Sequence, residues 1–446
     1  MSIQAALVAL ALAAPQESGT DSADVWSQAE LERVTEEIRL DLEELRGDTF
    51  RRPVTVRVTD GAGFLEHAKE RVEAFTTEEQ WAADGLEAKL LGLIPADMDL
   101  LATTYELLES QVGGFYDPGA DTFYLMESYT GGLARVILSH ELVHALDDQL
   151  FDLDAGMRGR VNSADALFAY QALCEGSAQL VSTRWVLRNA GTLSPADLEK
   201  ASLGTEQLAG APAYLWKPLL GAYLAGNDFL DKGYRIRRRE LRKEASQGRT
   251  IAEAFENPPR SSEQILHPEK YWSKDARDEP QRVTHGVAPE GWTERGRTTL
   301  GELTLAILVD DAAALAGPDL TNPRSLLSLR YTNAAAEGWG GDEVVLLTKD
   351  DAKVLQLSTV WDTEADAQEF HDALAFAELR IRAVVDALGD PAGTNLRLDL
   401  PARRVTFTSF AGINAEDAAA MLAQLDVTVE LPTPAESEQP EPAGAK

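Results

Sequence analysis

The sequence predicts an α+β protein that is predominantly helical, with a larger first domain and a smaller second one. Three observations support this fold class. Helical spacing of apolar residues dominates the chain up to about residue 279. Alternating stretches typical of strands cluster after residue 340, where helical patterns separate them. The chain has 446 residues, of which 44% are hydrophobic, and this is enough for two or three buried cores.

The first 14 residues are similar to a secretory signal peptide. An apolar run ends in Ala-Leu-Ala at Ala13, although no Lys or Arg precedes it. We therefore expect export to the periplasm, the cell surface or the medium, with cleavage near Ala13 or Ala14 and a polar linker over residues 15–25. No other stretch approaches the roughly 20 consecutive apolar residues of a transmembrane helix, so we expect no integral membrane segment.

The composition narrows the range of partners. With 74 acidic and 41 basic residues, the formal net charge is −33. Nucleic acids and anionic membranes bind concentrated positive charge, so we expect neither as a partner. The one basic cluster, residues 235–243, is interpreted as a solvated helix face, with docking of an acidic partner or an anionic wall polymer as the alternative. The single cysteine, Cys174, excludes an intrachain disulfide. The oligomeric state stays open.

The first predicted domain, residues 26–279, is mainly helical. Helical patterns cover residues 26–45, 63–75, 84–111 with a break near residue 94, and 204–234. Residues 52–59 alternate and predict a strand. Residues 112–126 predict a hairpin of two aromatic strands around an Asp-Pro-Gly-Ala-Asp turn.

The pentapeptide from His140 to His144 follows this hairpin within an apolar helical stretch. Side chains four residues apart stand nearly above one another on a helix, so both imidazoles can bind one metal ion. Glu141 is then displaced around the helix, beside the metal instead of on it. Leu142 and Val143 point the other way and are expected to pack against a core. An ordinary amphipathic helix with two histidines in register is the alternative interpretation.

Glu175 is the next notable residue. It lies within a predicted helix that begins at a Ser163 cap and ends at Arg188. Burying a carboxylate in so apolar a helix costs free energy of folding unless the carboxylate is paired or bound to a metal. The neighbouring Gly176 weakens the helix, which is explained if another backbone approaches closely there.

His140-Glu141-x-x-His144 followed after 30 residues by Glu175 resembles the gluzincin zinc metallopeptidases, whose third ligand is a Glu on a following helix. Within that group the chain is similar to an incompletely characterised prokaryotic set of exported zincin-like proteins. The matching stretches are residues 114–118, 140–149, 175–178, 223–229, 262–271, 338–342 and 361–370. One departure is Gln179, which stands where thermolysin-like enzymes carry an acidic residue four positions after the third ligand.

The resemblance implies a zincin-like metallopeptidase domain over residues 26–279. It implies that Zn²⁺ is held by His140, His144 and Glu175. The function implied is that of a zinc-dependent endopeptidase, which hydrolyses the bonds of a peptide or protein substrate through a zinc-bound water activated by Glu141.

Three further residues are candidates for the site. In gluzincins a loop His or Tyr commonly donates a hydrogen bond to the transition-state oxygen, and by resemblance His267 or Tyr271 takes this role. The hairpin at residues 112–126 is a candidate edge for an extended substrate. The side chain of Tyr116 in this hairpin either faces the cleft that would hold the substrate or packs within the sheet.

Other functions compatible with this pattern remain. One is a catalytically inactive zincin-like protein that serves as a binding or cell-surface interaction module, and another is zinc hydrolysis of a non-peptide amide. Glu141 favours catalysis because a purely structural zinc site has no use for an unligated carboxylate.

The second predicted domain, residues 280–430, is a small α+β unit. Thr363 and Asp366 form a capping box at the start of a long helix. Residues 338–342 are glycine-rich and are interpreted as a tight turn, and residues 431–446 as a disordered tail. The predicted helices cover residues 300–316, 363–385 and 414–425, with a short one after residue 323, and the strands cover residues 343–348, 354–360, 395–400 and 403–410.

Overall fold

The computed structural model describes residues 26–111, 113–192, 210–241, 246–316 and 328–432. The expected signal peptide and linker therefore lie outside the described residues, as do the expected tail from residue 433 onward and the helix after residue 323. Within the described ranges, no helix is both long enough and apolar enough to cross a membrane.

The protein is a mixed α+β structure, as the sequence predicts. The helices, numbered along the described chain, are α1 Gln28–Arg46, α2 Gly61–Phe75, α3 Glu78–Leu90, α4 Leu100–Gln111, α5 Gly131–Phe151, α6 Leu153–Arg158, α7 Ala164–Arg188, α8 Ala213–Leu241, α9 Gln247–Glu256, α10 Ser262–Leu266, α11 Glu269–Trp272, α12 Gly301–Val309, α13 Ala312–Leu315, α14 Glu364–Val385 and α15 Ala415–Leu422.

The strands form three sheets. They are β1 Thr55–Thr59, β2 Gly114–Asp117, β3 Thr122–Met126, β4 Arg282–His285, β5 Thr293–Thr298, β6 Trp339–Lys349, β7 Ala352–Trp361, β8 Ala392–Asp399, β9 Arg404–Ala411 and β10 Val427–Glu430. The first sheet has the order β1-β3-β2, with β1 parallel to β3 and β2 antiparallel to it. The second pairs β10 with β4, and the third is antiparallel with the order β5-β6-β7-β9-β8.

Local signals account for the helix that opens the described chain. The Ser27 side chain accepts a hydrogen bond from the backbone of Glu30, which caps α1, and Gly47 ends it in the left-handed conformation with φ +82°. The buried apolar residues recur at helical spacing and are Leu31, Val34, Ile38 and Leu42. This face packs α1 against α5 and α7.

The five-stranded sheet is covered on both faces. Val344 and Leu346 of β6 join the main core beneath α14, whereas Val345 and Leu347 join a smaller core with α15. Burial on both faces explains the nearly continuous apolar run in β6. The glycine-rich residues 338–342 were predicted as a tight turn, but they open β6 with a bulge between Trp339 and Gly341.

The two predicted domains share one hydrophobic core, and an ion cluster joins them. The Lys270 ammonium lies 2.6 Å from Glu263, 3.0 Å from Asp278 and 3.2 Å from Asp362, and Asp362 lies at the start of α14 in the second unit. Burial raises the pKa of Glu263, and the charge and hydrogen bond of Lys270 lower it, so the ammonium favours the ionised carboxylate. The ammonium therefore separates three carboxylates that would otherwise repel one another.

We expect Lys270→Ala to destabilise the protein by about 2–4 kcal/mol, because it leaves a buried carboxylate without its cation. Urea unfolding followed by tryptophan fluorescence measures this loss. Lys274→Ala is the matched control, since Lys274 is an exposed lysine one turn further along. Equal stability of the two variants would show that the cluster does not contribute to folding.

Candidate metal centre

The helix that carries the pentapeptide, α5, is buried. Every residue from Ile137 to Gln149 is buried, including the two histidines and Glu141. The helix packs between α1, α7 and strands β2 and β3. Polar side chains in such a position need partners, and these partners define the site.

Three ligand atoms meet beside α5. His140 Nε2 lies 3.2 Å from Glu175 Oε2 and 3.2 Å from His144 Nε2, while His144 Nε2 lies 3.4 Å from Glu175 Oε2. Tetrahedral ligands at the usual zinc distances of about 2.0–2.1 Å are separated from one another by about 3.3 Å. The triangle therefore has the size that one zinc ion requires, and two imidazoles with one carboxylate are donors that zinc accepts.

The electrostatics of the triangle suit a cation. Burial by itself raises the pKa of Glu175, but the charge of His144 and hydrogen bonds from both imidazoles lower it to about 2. Burial lowers the pKa of His140, whereas Glu175 raises the pKa of His144 to about 9 despite burial. The lowered pKa keeps Glu175 in the ionised form, which is the form that binds a metal ion.

Helix α7 brings Glu175 to the site through a close crossing with α8. Ser163 caps α7, as predicted, by accepting a hydrogen bond from the backbone of Ala166. A Cβ atom at Gly176 would lie 2.3 Å from the backbone carbonyl carbon of Gly226 in α8. The predicted reason for Gly176 is thus confirmed, because only glycine permits this backbone contact beside Glu175.

We expect Gly176→Ala to destabilise the protein by about 1–3 kcal/mol, since the two backbones must separate. The shift should also displace Glu175 and weaken metal binding. Urea unfolding and chelator competition measure the two effects. Gly191→Ala is the control, because a Cβ there meets nothing within 4 Å. If Gly176→Ala matches that control in both measurements, the close crossing does not position Glu175.

Glu141 lies beside the triangle and is 1% exposed. Its Oε2 accepts a hydrogen bond of 2.8 Å from the backbone N–H of Tyr116. Its Oε1 is buried and has no hydrogen-bond partner among the described residues. Burial raises the pKa of Glu141 to about 8, although the charge of His144 opposes this. An unpartnered carboxylate oxygen with a pKa near neutrality is typical of a proton acceptor.

Tyr116 reaches this region through its backbone. Its hydroxyl lies 2.8 Å from both Asp121 and Asp148, and the residue is buried in the sheet. This arrangement matches the second of the two expectations, in which Tyr116 packs within the sheet. Strand β2 is the edge of its sheet, and the Tyr116 N–H that faces away from β3 is directed at Glu141.

Both predicted oxyanion donors form hydrogen bonds with residues outside the triangle. His267 Nε2 lies 2.8 Å from Glu302, and the Tyr271 hydroxyl donates a 2.6 Å hydrogen bond to the carbonyl of Asn257. None of the hydrogen bonds or ring contacts of the described residues joins either one to a residue of the triangle. Their assignment as donors remains a prediction that these contacts do not support.

Tyr223 of α8 is the aromatic residue that does reach the triangle. Its ring stacks on His140 with centroids 5.7 Å apart and an interplanar angle of 26°. Tyr223 lies in one of the stretches that match the zincin-like proteins, but it is not among the predicted site residues. Helical spacing places it on a buried face without indicating which helix that face meets.

Two other polar side chains close to these residues in sequence, Asp148 and Cys174, have surroundings that suit a structural role. Asp148 accepts hydrogen bonds from Tyr116 and from the backbone of Leu153, so it holds β2 and the end of α5. The thiol of Cys174 is buried, and burial raises its pKa, as suits a small core residue.

A second acidic group has the spacing of a metal site, but a lysine lies among its oxygens. Glu263, Asp278 and Asp362 have carboxylate oxygens close enough together for one ion. Lys270 binds all three, so its ammonium already supplies the cation.

Comparison with known proteins finds one family model, and its match lies within the second unit. A family model described as a domain of unknown function (DUF8575) matches residues 287–418. The match covers less than half of the chain and includes none of the triangle residues. Neither the curated proteins nor the solved structures contain a match to this chain.

Proposed function

We propose that this chain is a zinc-dependent endopeptidase with a zincin-like catalytic domain, in which His140, His144 and Glu175 hold the metal. One observation carries the proposal: the three ligand atoms lie 3.2–3.4 Å apart, with the unpartnered carboxylate oxygen of Glu141 buried beside them. The triangle supports metal binding, and Glu141 supports catalysis.

In the proposed reaction, Glu141 and Tyr116 have separate roles beside the bound zinc. Bound zinc would supply a Lewis acid that polarises the scissile carbonyl and makes water more acidic. Glu141 Oε1 accepts a proton from the attacking water and then delivers it to the leaving nitrogen. The Tyr116 N–H holds Glu141 Oε2, so the other oxygen keeps one orientation during the transfer.

Strand β2 supports a peptide as substrate. An extended peptide can add to a sheet edge through main-chain hydrogen bonds, which do not depend on side-chain identity. Because a β2 backbone N–H binds Glu141, this edge borders the base. Tyr223 replaces Tyr271 as the candidate donor to the transition-state oxygen, since the Tyr223 ring lies on His140 and the Tyr271 hydroxyl binds Asn257.

A zinc-binding interaction protein would not explain Glu141. A buried carboxylate oxygen without a partner costs free energy of folding, and a binding module gains nothing from it. Catalysis offers a reason to retain it. The proposed export of the protein is independent of this argument, because it depends on residues outside the described ranges.

The test uses the purified full-length chain, stripped with a chelator and reconstituted with Zn²⁺. We expect one zinc per chain by mass spectrometry of the metal and cleavage of an unfolded protein that depends on zinc. Fragment masses would identify the bonds cut.

Three outcomes would contradict the proposal. Failure to bind zinc would rule out the metal centre. Stoichiometric zinc without cleavage of unfolded protein or of a broad peptide library would favour the binding protein, and cleavage of other amides alone would change the substrate class.

A further inference from the structure

We infer that Asp147, Arg46 and Ser177 form a positioning network that aligns the helix bearing the two histidines with the helix bearing Glu175. This inference rests on the proposed function, because it assigns the network to the metal centre. The three residues are not ligands, and they act through the residues that are.

Asp147 is the centre of the network. Its Oδ1 accepts hydrogen bonds from Arg46, 3.1 Å from Nη2 and 3.3 Å from Nε. Its Oδ2 accepts a short hydrogen bond from the hydroxyl of Ser177. Asp147 and Ser177 are 0% exposed and Arg46 is 2% exposed, so water does not substitute for these bonds.

The positions of these residues connect them to the ligands. Asp147 follows His140 by seven residues and His144 by three, so it extends the ligand face of α5 by one turn. Ser177 follows Glu175 by two residues in α7. The bond from Ser177 to Asp147 therefore joins the two ligand helices close to all three ligands.

Arg46 fixes this junction to the rest of the fold. It is the last residue of α1, and its Nη1 also lies 2.6 Å from Asp48 and 2.9 Å from the carbonyl of Gly248 in α9. With its guanidinium bound on three sides, Arg46 holds Asp147 in one orientation. Buried ion pairs contribute little net stability, so a gain in structural specificity is the better explanation for this one.

The network also compensates for Gln179, which stands where thermolysin-like enzymes carry an acidic residue. The amide of Gln179 bonds only to Thr183 of the same helix among the described contacts, so no carboxylate one turn after Glu175 orients a ligand. Asp147 supplies a buried carboxylate from the other ligand helix, and its charge attracts the imidazole of His144. Groups behind the ligands commonly tune metal affinity in this way.

The test compares Asp147→Asn and Ser177→Ala with wild type in three measurements: zinc affinity by chelator competition, the visible spectrum of the Co²⁺-substituted protein, and urea unfolding of the metal-free protein. We expect each variant to bind zinc about 10–100-fold more weakly and to change the Co²⁺ bands. The double variant should be little weaker than the worse single one, because both break one network.

Ser182→Ala is the control, since Ser182 is a buried serine of α7 whose hydroxyl bonds only within the helix. A purely structural role would lower metal-free stability without changing the Co²⁺ bands. Wild-type zinc affinity and spectrum in both Asp147→Asn and Ser177→Ala would overturn the inference while leaving the proposed function intact. A wild type that binds no zinc would overturn both. Ser177→Ala decides the matter if Asp147→Asn does not fold.

Discussion

Glu141→Gln is expected to lower the rate of peptide hydrolysis by about 10²–10⁴-fold without changing zinc affinity. Gln has the same shape, and its carbonyl oxygen can still accept the Tyr116 N–H. It cannot accept a proton from water at neutral pH, so only the proton transfer is lost. Initial rates on a fluorogenic peptide, with zinc content measured on the same samples, separate the two properties.

Glu127→Gln is the matched control for this variant. Glu127 is an exposed glutamate shortly before α5, and its substitution should leave activity and zinc affinity unchanged. If Glu141→Gln kept more than about a tenth of the wild-type rate, Glu141 would not be the base. If it lost zinc as well, the loss of activity would instead reflect a damaged metal centre.

Glu175→Ala is expected to weaken zinc binding by about 10²–10³-fold. Zinc sites with four protein ligands bind with about 10–16 kcal/mol, so one ligand accounts for several kcal/mol. Activity at limiting zinc should fall in proportion to occupancy. Zinc should also raise the melting temperature of the wild type and of Glu141→Gln, and raise that of Glu175→Ala by less at the same zinc concentration, because only bound metal stabilises the folded state.

Gln179→Ala is the control, since it removes a side chain from the same helix one turn later without touching the triangle. It should bind zinc as wild type does. Full zinc occupancy of Glu175→Ala at limiting metal would remove Glu175 from the ligand set. A similar loss in both variants would indicate disruption of α7, not removal of a ligand.

Features set by short-range physics were predictable from the sequence. Ser163 and Thr363 cap their helices as expected, because a cap needs only a few neighbouring residues. The hairpin of β2 and β3 has the predicted turn between residues 117 and 122. The i, i+4 spacing of His140 and His144 predicted that they share a face, and their ring nitrogens lie 3.2 Å apart.

Features that depend on distant pairing were not predictable in this way. Strands β4 and β10 went unrecognised because each has four residues and pairs with a segment more than 100 residues away. Strand β5 is not among the predicted strands because its residues are mostly polar, and its pairing with β6 stabilises it. Short strands carry too little local pattern to be identified without their partners.

The amino-acid sequence alone is enough to predict that His140 and His144 share a helix face and that a further helix carries Glu175. Helical geometry and the cost of burying a lone carboxylate are sufficient for these. Three contacts are visible only in the folded chain: Glu175 lies beside His140, His267 binds Glu302, and Tyr223 packs on His140. Such contacts join segments tens of residues apart, and they depend on how helices pack rather than on any periodicity within one segment.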